Sequence, residues 1–415
     1  MVRRHILILN RLCNEFARYH RYVDHAANRV TYIATPGGAE PLESGLAEEI
    51  VIVDDLDNAG GVAAEAKELV ARHGPVSRLV ALSELDLEFA AILRAELDIP
   101  GKTVEQTRRV RDKMVMKEHV ARAGLRVPRF DVATSPDRVR DFAAAVGLPL
   151  VLKPRAGADS QGVHVLRSAD ALERLLDEHD LTDYECEEFI EGNLYQVDGI
   201  VAGGEIRILR SWRCIGSCLD FARGTPFGSV TNDDPDFERR VTAFTVRVLA
   251  SLGLTDDVFH LELFRTVAPV GPDDEFADMV FLEIGARAGG GQLRYVWRDV
   301  FGVDLIDASL RIHLGEPLTL PTMDLGLVGG YLMMPEPPQR PCIVERVSSL
   351  VGRVPAVYDE AVPPPGTILD GFGGARHTAG AYRFRGSSSA AVERAIAEAV
   401  SQYRISWSAV PAGVA

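Results

Sequence analysis

Residues Val258 to Gly291 contain two carboxylates whose placement constrains the chain more than any other feature. Two segments of alternating apolar and polar residues, Phe259 to Val267 and Phe276 to Ile284, flank a Gly-Pro-Asp-Asp sequence that is typical of a turn. If the turn closes on its central Pro-Asp pair without a bulge, Glu262 faces Glu283 on one side of a β-hairpin. Directly opposed like charges are destabilising, and an unpaired buried carboxylate costs more. The pattern therefore predicts either a cation between the two carboxylates or a hairpin that turns both of them to solvent.

The residues around this hairpin favour a magnesium and phosphate site. Carboxylates that leave coordination positions open for phosphate oxygens suit Mg²⁺, and Arg287 adds a planar, permanently charged group for anionic oxygens. His260 lies on the same predicted face, where it could contact a phosphate or an amine, or serve as a hydrogen-bonded structural residue. Gly290 is the middle residue of three consecutive glycines, which would let the backbone approach a ligand closely.

Composition and charge indicate a multi-domain protein of ordinary soluble type. The chain has 415 residues with 47% hydrophobic content, enough for about two to four domains with their own cores. A net charge of −15 argues against nucleic acid or an anionic membrane as the main partner. Five scattered cysteines without a CxxC pair fit reduced thiols in the cytoplasm. The first residues predict a strand rather than a signal peptide, and no apolar segment is long enough to span a membrane.

Strands and helices alternate in the N-terminal part of the chain. Strands are predicted at His5 to Leu9, Arg29 to Ala34, Glu49 to Val53 and Arg78 to Leu82, with helices at Cys13 to Ala27, Val62 to His73 and Leu87 to Glu96. This order predicts a parallel sheet covered on both faces. Ser83, Glu84 and Asp86 follow the fourth strand, where they could line a pocket or cap the next helix. No GxGxxG motif follows these strands, which argues against a dinucleotide site of the Rossmann type.

Two lysine-containing motifs come next. A predicted helix carries Lys113 and Lys117 four residues apart, which costs stability unless an anion lies nearby, although a solvated basic face has the same spacing. Lys153 lies on the apolar strand Leu148 to Pro154, and a loop of small residues from Arg155 to Gly162 follows it. A strand, a lysine and a flexible loop can fold backbone amides over a polyphosphate, but most such loops are only turns. The GxxxxGK sequence of a Walker A loop is missing.

The remaining segments predict a large antiparallel sheet with helices packed on it. Tyr184 to Gly192 reads as a strand that could present backbone groups to an adenine edge or could be an ordinary edge strand. Further strands are predicted at Tyr195 to Val201, Glu205 to Cys214 and Cys218 to Phe221, and helices at Phe237 to Gly253, Gln292 to Val300 and Asp304 to Leu314. The proline-rich segment Pro335 to Pro341 predicts a domain boundary.

Taken in order, these motifs resemble those of the ATP-grasp superfamily, and within it the carboxylate–amine ligases that include bacterial L-amino acid (dipeptide) ligases. The residues that carry the resemblance are RDKMVMK (Arg111 to Lys117), VPRF (Val127 to Phe130), LVLKPRAGADSQGV (Leu150 to Val163), CEEFIEG (Cys186 to Gly192), HLEL (His260 to Leu263) and LEIGARAGGG (Leu282 to Gly291).

The resemblance implies an α/β fold, α+β overall, with four units. These are an N-terminal parallel α/β domain at 1–110, a small lid subdomain at 111–190, a large antiparallel-sheet domain at 191–334 and a C-terminal α+β domain at 335–415. It implies that ATP drives amide formation between an amino acid or related carboxylate and an amine, through an acyl phosphate, with release of ADP and phosphate. ATP and two Mg²⁺ ions, which Mn²⁺ could replace, would be the cofactors, and a homodimer would be the assembly.

The resemblance also implies a role for each matching residue. The residues expected to contact the ATP phosphates are Lys113 and Lys153, with Gly157, Ser160 and Gly162 in the loop above them. Glu187 would meet the adenine amino group, and the hinge contacts would come from Glu188, Phe189 and Ile190. Glu262 and Glu283 would hold the metal ions. Arg287 would steady the acyl phosphate and the tetrahedral intermediate, with His260 beside it. Substrate contacts are expected from Arg287, Gly290 and Arg294, with Trp297 near the mouth of the site.

Two departures from the family pattern leave particular ligands open. The usual Glu-x-Asn after the second strand is Glu283-Ile284-Gly285 here, so one metal ligand must be water, another residue or absent. Leu194 stands where many relatives have a ribose-binding acid, which leaves Glu191 or the backbone to hold the sugar. Two other functions stay open. One is a carboxylase or purine-pathway ligase that phosphorylates bicarbonate, and the other is a non-catalytic nucleotide-binding regulatory protein.

Overall fold

The computed structural model describes residues 3–271, 274–324, 326–371 and 378–410. The predicted turn at Pro272 and Asp273 lies outside these ranges. The described residues form an N-terminal parallel sheet, a small antiparallel lid sheet, a large antiparallel sheet and a three-stranded C-terminal sheet. Within those ranges no helix is long and apolar enough to cross a bilayer.

The N-terminal unit is a parallel sheet, as the alternation of elements predicted. Its strands are β1 (Arg4–Asn10), β2 (Asn28–Ala34), β3 (Glu49–Ile52) and β4 (Arg78–Ala81), and its helices are α1 (Pro36–Ala39), α2 (Ala59–His73) and α3 (Leu87–Glu96). The strands pair in the order β3-β2-β1-β4. Leu7 and Leu9 pack into one core while Ile6 and Ile8 pack into another, so the sheet is buried on both faces.

The predicted helix at Cys13 to Ala27 is wrong. Two short 3₁₀ turns stand there, Glu15–Ala17 and Tyr19–Arg21. Asn14 accepts a hydrogen bond from the Phe16 backbone, and Asp24 accepts from the next backbone amides. Such local side-chain hydrogen bonds compete with a continuous helix.

The connector and the lid follow the N-terminal unit. Their elements are α4 (Val104–Arg108), α5 (Lys113–Arg122), β5 (Phe130–Val132), α6 (Pro136–Val146), β6 (Leu150–Pro154), β7 (His164–Leu166), α7 (Ala169–Glu178) and β8 (Tyr184–Glu188). Helix α5 begins at Asp112, whose carboxylate accepts hydrogen bonds from the amides of Met114 and Val115. The lid strands pair antiparallel in the order β5-β8-β6-β7, so the segment from Arg155 to Val163 is the hairpin loop between β6 and β7.

The large sheet carries the predicted hairpin at its edge. Its elements up to the C-terminal unit are β9 (Asn193–Ala202), β10 (Glu205–Ile215), α8 (Cys218–Phe221), β11 (Phe227–Thr231), α9 (Pro235–Leu252), β12 (Asp257–Arg265), β13 (Met279–Gly285), α10 (Leu293–Phe301), α11 (Leu305–Leu314) and β14 (Val328–Met334). The strand predicted at Cys218 to Phe221 is wrong, because Ser217 accepts a hydrogen bond from the Asp220 amide and starts helix α8 instead.

The C-terminal unit extends the large sheet. Its elements are β15 (Cys342–Val347), β16 (Val357–Ala361), β17 (Ile368–Leu369), β18 (Gly380–Gly386), α12 (Ser389–Gln402) and β19 (Ile405–Ala409). The eight strands pair in the order β13-β12-β9-β10-β11-β14-β18-β16, and β17-β15-β19 form the small sheet. Because β18 and β16 continue the large sheet, helix α12 packs on strands from both sides of the predicted boundary.

Strands β12 and β13 pair in the predicted register at the two glutamates. Glu262 pairs with Glu283, and His260 pairs with Gly285. Nearer the turn the pairing is offset by one residue, and an irregularity next to Glu262 restores the predicted register. The extra residue is Leu282, which lies between the partners of Glu262 and Leu263 and acts as a β-bulge.

Candidate active site

A cavity of about 220 Å³ lies between the lid sheet and the large sheet. It is lined by the lid loop, the end of β8, the β12–β13 hairpin and the residues after it. Most of the side chains singled out from the sequence meet there: Lys113, Lys153, Gly157, Ser160, Glu187, Glu188, Phe189, Ile190, His260, Glu262, Glu283, Arg287 and Gly290. Gly162 and Arg294 do not line it.

The two opposed glutamates face the cavity, so the solvent-facing interpretation of the hairpin is wrong. Glu283 Oε2 lies 3.1 Å from the Nζ of Lys113. Glu262 Oε1 lies 3.3 Å from His260 Nε2 and 3.4 Å from the Nε2 of Gln196. Burial alone would raise the pKa of Glu262, but the hydrogen bond and charge of His260 outweigh burial and lower it. The site therefore keeps Glu262 ionised beside a second carboxylate.

His260 is held between two carboxylates. Its Nδ1 lies 3.0 Å from Asp198 Oδ1, while its Nε2 faces Glu262. Burial would lower the pKa of His260, but the Asp198 carboxylate raises it to about 9. The imidazole is therefore protonated at neutral pH and donates to both neighbours. Gly289 makes this arrangement possible, because a Cβ there would lie 2.4 Å from Asp198 Oδ1.

Arg287 is fixed by a carboxylate from the N-terminal unit. Its Nε donates to Glu84 Oε2 at 2.8 Å, and its Nη1 donates to the Ala288 carbonyl at 3.0 Å. Glu84 also accepts from Arg111 Nη1 at 2.7 Å, and Arg111 Nη2 donates to the Ala156 carbonyl in the lid loop at 2.6 Å. Burial opposes the charged form of Glu84, but Arg287 and Arg111 lower its pKa to about 2. A chain of charged hydrogen bonds therefore joins the lid loop to Arg287.

The capping role considered for the residues after β4 is wrong. Neither Ser83 nor Asp86 makes a side-chain capping hydrogen bond. Asp86 instead accepts from Arg11 Nε at 2.9 Å, and Glu84 holds Arg287. None of the three residues lines the cavity, and Glu84 acts on it only through Arg287.

The two lysines of α5 are not a solvated basic face. Lys117 is fully buried, and its Nζ donates to Glu185 Oε1 at 2.8 Å and also to Glu187. Lys153 Nζ donates to the other oxygen of Glu187 at 2.8 Å. Burial would raise the pKa of Glu187, but Lys117 and Lys153 lower it to about 2. Two lysines and two glutamates thus neutralise one another at the base of the lid.

The lid loop is anchored to the start of α5. The Lys113 amide donates to the Arg155 carbonyl at 2.9 Å, and Lys113 Nζ donates to the Gly157 carbonyl at 3.0 Å. Gly162 closes the loop with φ of +68°, and a Cβ there would lie 2.6 Å from the hydroxyl of Tyr184. Gly162 therefore shapes the loop from outside the cavity, while Gly157 and Ser160 line it.

The charged middle of the cavity separates two apolar ends. One end adjoins the hinge after β8 and includes Val151, Val165, Ile190, Leu194 and Leu282. The other lies where the large sheet meets the segment after β13 and includes Leu219, Phe227, Gly291, Tyr331 and Met333. A single cavity with this layout can hold two organic groups joined through a charged centre.

Comparison with known proteins agrees with this geometry. No protein-family model matches the chain. The L-arginine-specific L-amino acid ligase of Bacillus subtilis is 22% identical over 304 residues, which cover 71% of each chain. The crystal structure of an L-amino acid ligase from Bacillus licheniformis matches with a TM-score of 0.76 and 18% identity, covering 98% of this chain and 100% of that one. This chain has the ATP-grasp fold.

A second solved structure with a similar fold was crystallised with a nucleotide. The biotin carboxylase domain of 2-oxoglutarate carboxylase from Hydrogenobacter thermophilus, in complex with MgADP and bicarbonate, matches with a TM-score of 0.68 and 18% identity over 98% of this chain and 91% of that one. The predicted fold class is confirmed, and the relatives that are named ligases agree with the predicted class of enzyme.

The two opposed glutamates fit a metal ion only if other ligands complete its coordination. Among the described residues no group of three or more His, Cys, Asp or Glu side chains could hold a metal ion. Glu262 and Glu283 alone supply two opposed carboxylates, which suits Mg²⁺ because it keeps water and phosphate oxygens among its ligands. A site built only from protein ligands does not fit these residues.

Two residues predicted near the substrate lie elsewhere in the ATP-grasp fold. Trp297 is fully buried and packs against Trp212 and Phe301, so its predicted place at the mouth is wrong. Apolar residues on the inward face of α10 carry it into the core. Arg294 is half-buried, with its guanidinium 4.8 Å from the Phe16 ring centre. Its role in substrate binding stays a prediction.

Sequence reasoning missed four residues that shape this ATP-grasp site. They are Arg111, Glu185, Gln196 and Asp198. Arg111 directly precedes the Asp112 cap, and Glu185 lies two residues before Glu187 on β8, so alternation alone could have placed Glu185 on the same face. Gln196 and Asp198 alternate on β9, and they pair with Glu262 and His260 of β12.

Proposed function

We propose that this protein is an ATP-dependent carboxylate–amine ligase that joins an amino acid or a related carboxylate to an amine. The reaction would pass through an acyl phosphate and release ADP and phosphate. One observation carries the proposal: a single cavity brings together a hinge segment, two lysines, an opposed pair of glutamates and an arginine fixed from another unit. This is the set of groups that phosphoryl transfer to a carboxylate requires.

The nucleotide would lie between the hinge and the lid loop. The adenine fits the apolar end next to Phe189 and Ile190, which follow the last paired residue of β8. Glu187 lines this end, but its carboxylate is held by lysines, so the backbone from Glu188 to Ile190 is the better partner for the base. Lys113 and Lys153 would contact the phosphates under Gly157 and Ser160.

Glu262 and Glu283 would hold Mg²⁺ together with the phosphates, and Mn²⁺ could replace it. Bound at this position, the cation would neutralise the charge of the transferring phosphate. The number of bound ions can be measured as the metal-to-protein ratio at saturation. We expect two ions, because each glutamate faces the cavity with its own partner. His260 would orient Glu262 by the hydrogen bond that joins them.

In the first step a carboxylate oxygen of the substrate would attack the γ-phosphorus of ATP, and ADP would leave. The amine nitrogen would then attack the acyl carbon, the bond to phosphate would break, and the amine would lose a proton. Arg287 is placed to stabilise the negative charge in both steps, since Glu84 fixes its orientation. The loop that carries Ala156 is tied to the same chain of hydrogen bonds, so its closure would exclude water while Arg287 is in place.

The second apolar end of the cavity favours an organic acid over bicarbonate. Phe227, Tyr331 and Met333 are buried side chains that line it, and Gly291 leaves room beside them. Bicarbonate has no carbon side chain to cover these surfaces, whereas an amino acid has one. Gly290 would contact this substrate through its backbone.

The test is ADP release by the full chain with paired amino acids and related carboxylates in the presence of Mg²⁺. We expect turnover that needs both an acid and an amine and that Glu283→Gln abolishes. Glu205→Gln is a matched control, because Glu205 is exposed at the start of β10, away from the cavity. ADP release with bicarbonate alone would instead support a carboxylase. Nucleotide binding without ADP release for any pair would support a regulatory protein.

A further inference from the structure

A second cavity of about 280 Å³ lies where the N-terminal unit and α4 meet the start of β12. None of the residues that line it also lines the candidate active site. Its volume is far larger than one water molecule needs and lies near the small end of the range for ligand pockets. The cavity therefore has room for a small metabolite.

Arg94 of α3 lines this cavity without a direct carboxylate partner among the described residues. The side chain is 8% exposed, and its Nη2 donates to the Leu79 carbonyl at 2.9 Å. Across the described ranges, no carboxylate forms an ion pair with Arg94. Burial lowers the pKa of Arg94 to about 10, although Asp257 partly opposes this effect. A buried cation without a direct anionic partner is costly, and an anionic ligand would remove that cost.

The other charged groups of the cavity have partners other than Arg94. Lys102 forms an ion pair with Asp257, and Asp256 accepts from the Gly203 amide at 2.9 Å. His313 lines the cavity as well, and its Nδ1 is buried without a hydrogen-bond partner within the described part of the chain. Burial lowers the pKa of His313 well below its ordinary value, so the ring is neutral and can accept or donate a hydrogen bond.

Aliphatic side chains line the cavity beside the polar Gln106, Thr107 and Thr255. They come from the N-terminal unit, the connector and the large-sheet domain and are Leu79, Leu87, Val110, Leu252, Leu254 and Ile312. The cavity thus combines a guanidinium without a direct carboxylate partner, an imidazole nitrogen without a hydrogen bond, and a group of aliphatic side chains. This combination matches a ligand with a charged head and a short carbon chain. Inorganic phosphate would match the charge but would leave the aliphatic walls uncovered.

We propose that this cavity is a binding site for a small organic monocarboxylate, separate from the nucleotide site. The carboxylate pairs with Arg94 and hydrogen-bonds to His313, while the carbon chain packs on the aliphatic walls. Ala286 forms part of the wall and directly precedes Arg287 in the chain. An occupant therefore contacts the segment that carries the active-site guanidinium.

Crystals of the full chain soaked with 4-bromobutyrate test the location. We expect anomalous bromine density in the second cavity and the carboxylate within hydrogen-bond distance of Arg94. Bromine density found only in the first cavity would overturn the proposal. Calorimetric titration with butyrate and with inorganic phosphate tests the chemistry, and binding of phosphate in preference to butyrate would also overturn it.

Two variants separate binding from folding. Arg94→Gln removes the charge and should weaken butyrate binding at least tenfold. Gln106→Glu places a negative charge at the exposed rim and keeps the helix-capping pair with Thr103, so it should fold and still weaken butyrate binding. Arg239→Gln, on the exposed side of α9, is the control that should bind butyrate normally. Unchanged butyrate affinity in both Arg94→Gln and Gln106→Glu would refute the assignment.

Discussion

Replacement of Lys117 tests whether the base of the lid is a balanced charge cluster. Lys117 is fully buried and donates to Glu185 and Glu187, while Lys153 donates to Glu187 from the other side. Lys117→Met leaves one lysine to neutralise two buried carboxylates. Removing one partner of a buried ion pair typically costs about 3–5 kcal/mol. We expect a loss of that size in the free energy of unfolding, measured by urea titration.

The same variant should weaken nucleotide binding. With Lys117 gone, Lys153 alone faces Glu185 and Glu187, and its Nζ already lies 3.8 Å from Glu185 as well as 2.8 Å from Glu187. A lysine held more strongly by carboxylates is less available to a phosphate. We expect the dissociation constant for ATP to rise about tenfold, which corresponds to about 1.4 kcal/mol.

A second substitution distinguishes charge balance from lost packing. Glu185→Gln in the Lys117→Met background restores one positive and one negative charge, so most of the lost stability should return. Lys67→Met is the control, because Lys67 pairs with Glu96 on the surface and should contribute less than about 1 kcal/mol. A loss below about 1 kcal/mol for Lys117→Met, or no recovery in the double variant, would refute the reasoning.

Two further predictions concern the groups around Arg287 and His260. The pKa of Glu84 is about 2, below its ordinary 4.5, so its charge stabilises the folded protein above pH 4.5 and that stability is lost as the pH falls toward 2. The difference in unfolding free energy between wild type and Glu84→Gln should therefore be about 3 kcal/mol at pH 7 and vanish near pH 2, by urea titration at each pH. A difference that does not change with pH would contradict this. Gly289→Ala places a Cβ 2.4 Å from Asp198 Oδ1 and should cost about 1–3 kcal/mol and most ADP release, whereas Gly290→Ala meets no atom within 4 Å and should unfold like wild type. Equal stabilities of the two alanine variants would show that the close approach is not limiting.

Local patterns in the sequence predicted the parts of the fold that depend on near neighbours. The alternation around the β12–β13 turn predicted that Glu262 faces Glu283, and the pairing confirms it. The strands depart from the assumed geometry in two ways. The pairs nearer the turn are offset by one residue, and the bulge at Leu282 removes this offset before the glutamates. Alternation fixes which residues share a face, but it does not show where a bulge changes the register.

Pairings between distant segments could not be read from the sequence. Glu84 contacts Arg287 across about half of the chain, and Lys117 contacts Glu185 and Glu187 only because α5 packs under the lid sheet. The spacing of Lys113 and Lys117 left open whether an anion or only solvent lay nearby, and it could not identify the anion. The wrong helix at Cys13 to Ala27 has a local origin, because short side-chain hydrogen bonds there outweigh helical periodicity.

The glycine at position 285 is explained by the arginine beside it. A Cβ at Gly285 would lie 3.5 Å from Glu84 Oε2 and 3.5 Å from the Nε of Arg287, so a longer side chain directed there would enter the space that their ion pair occupies. Position 285 could have supplied a third metal ligand. In this chain it instead borders Glu84, the carboxylate that holds Arg287. In the proposed site the hairpin would offer a metal ion only Glu262 and Glu283, and phosphates and water would complete its coordination. The geometry that fixes Arg287 would thus also make metal binding depend on the nucleotide.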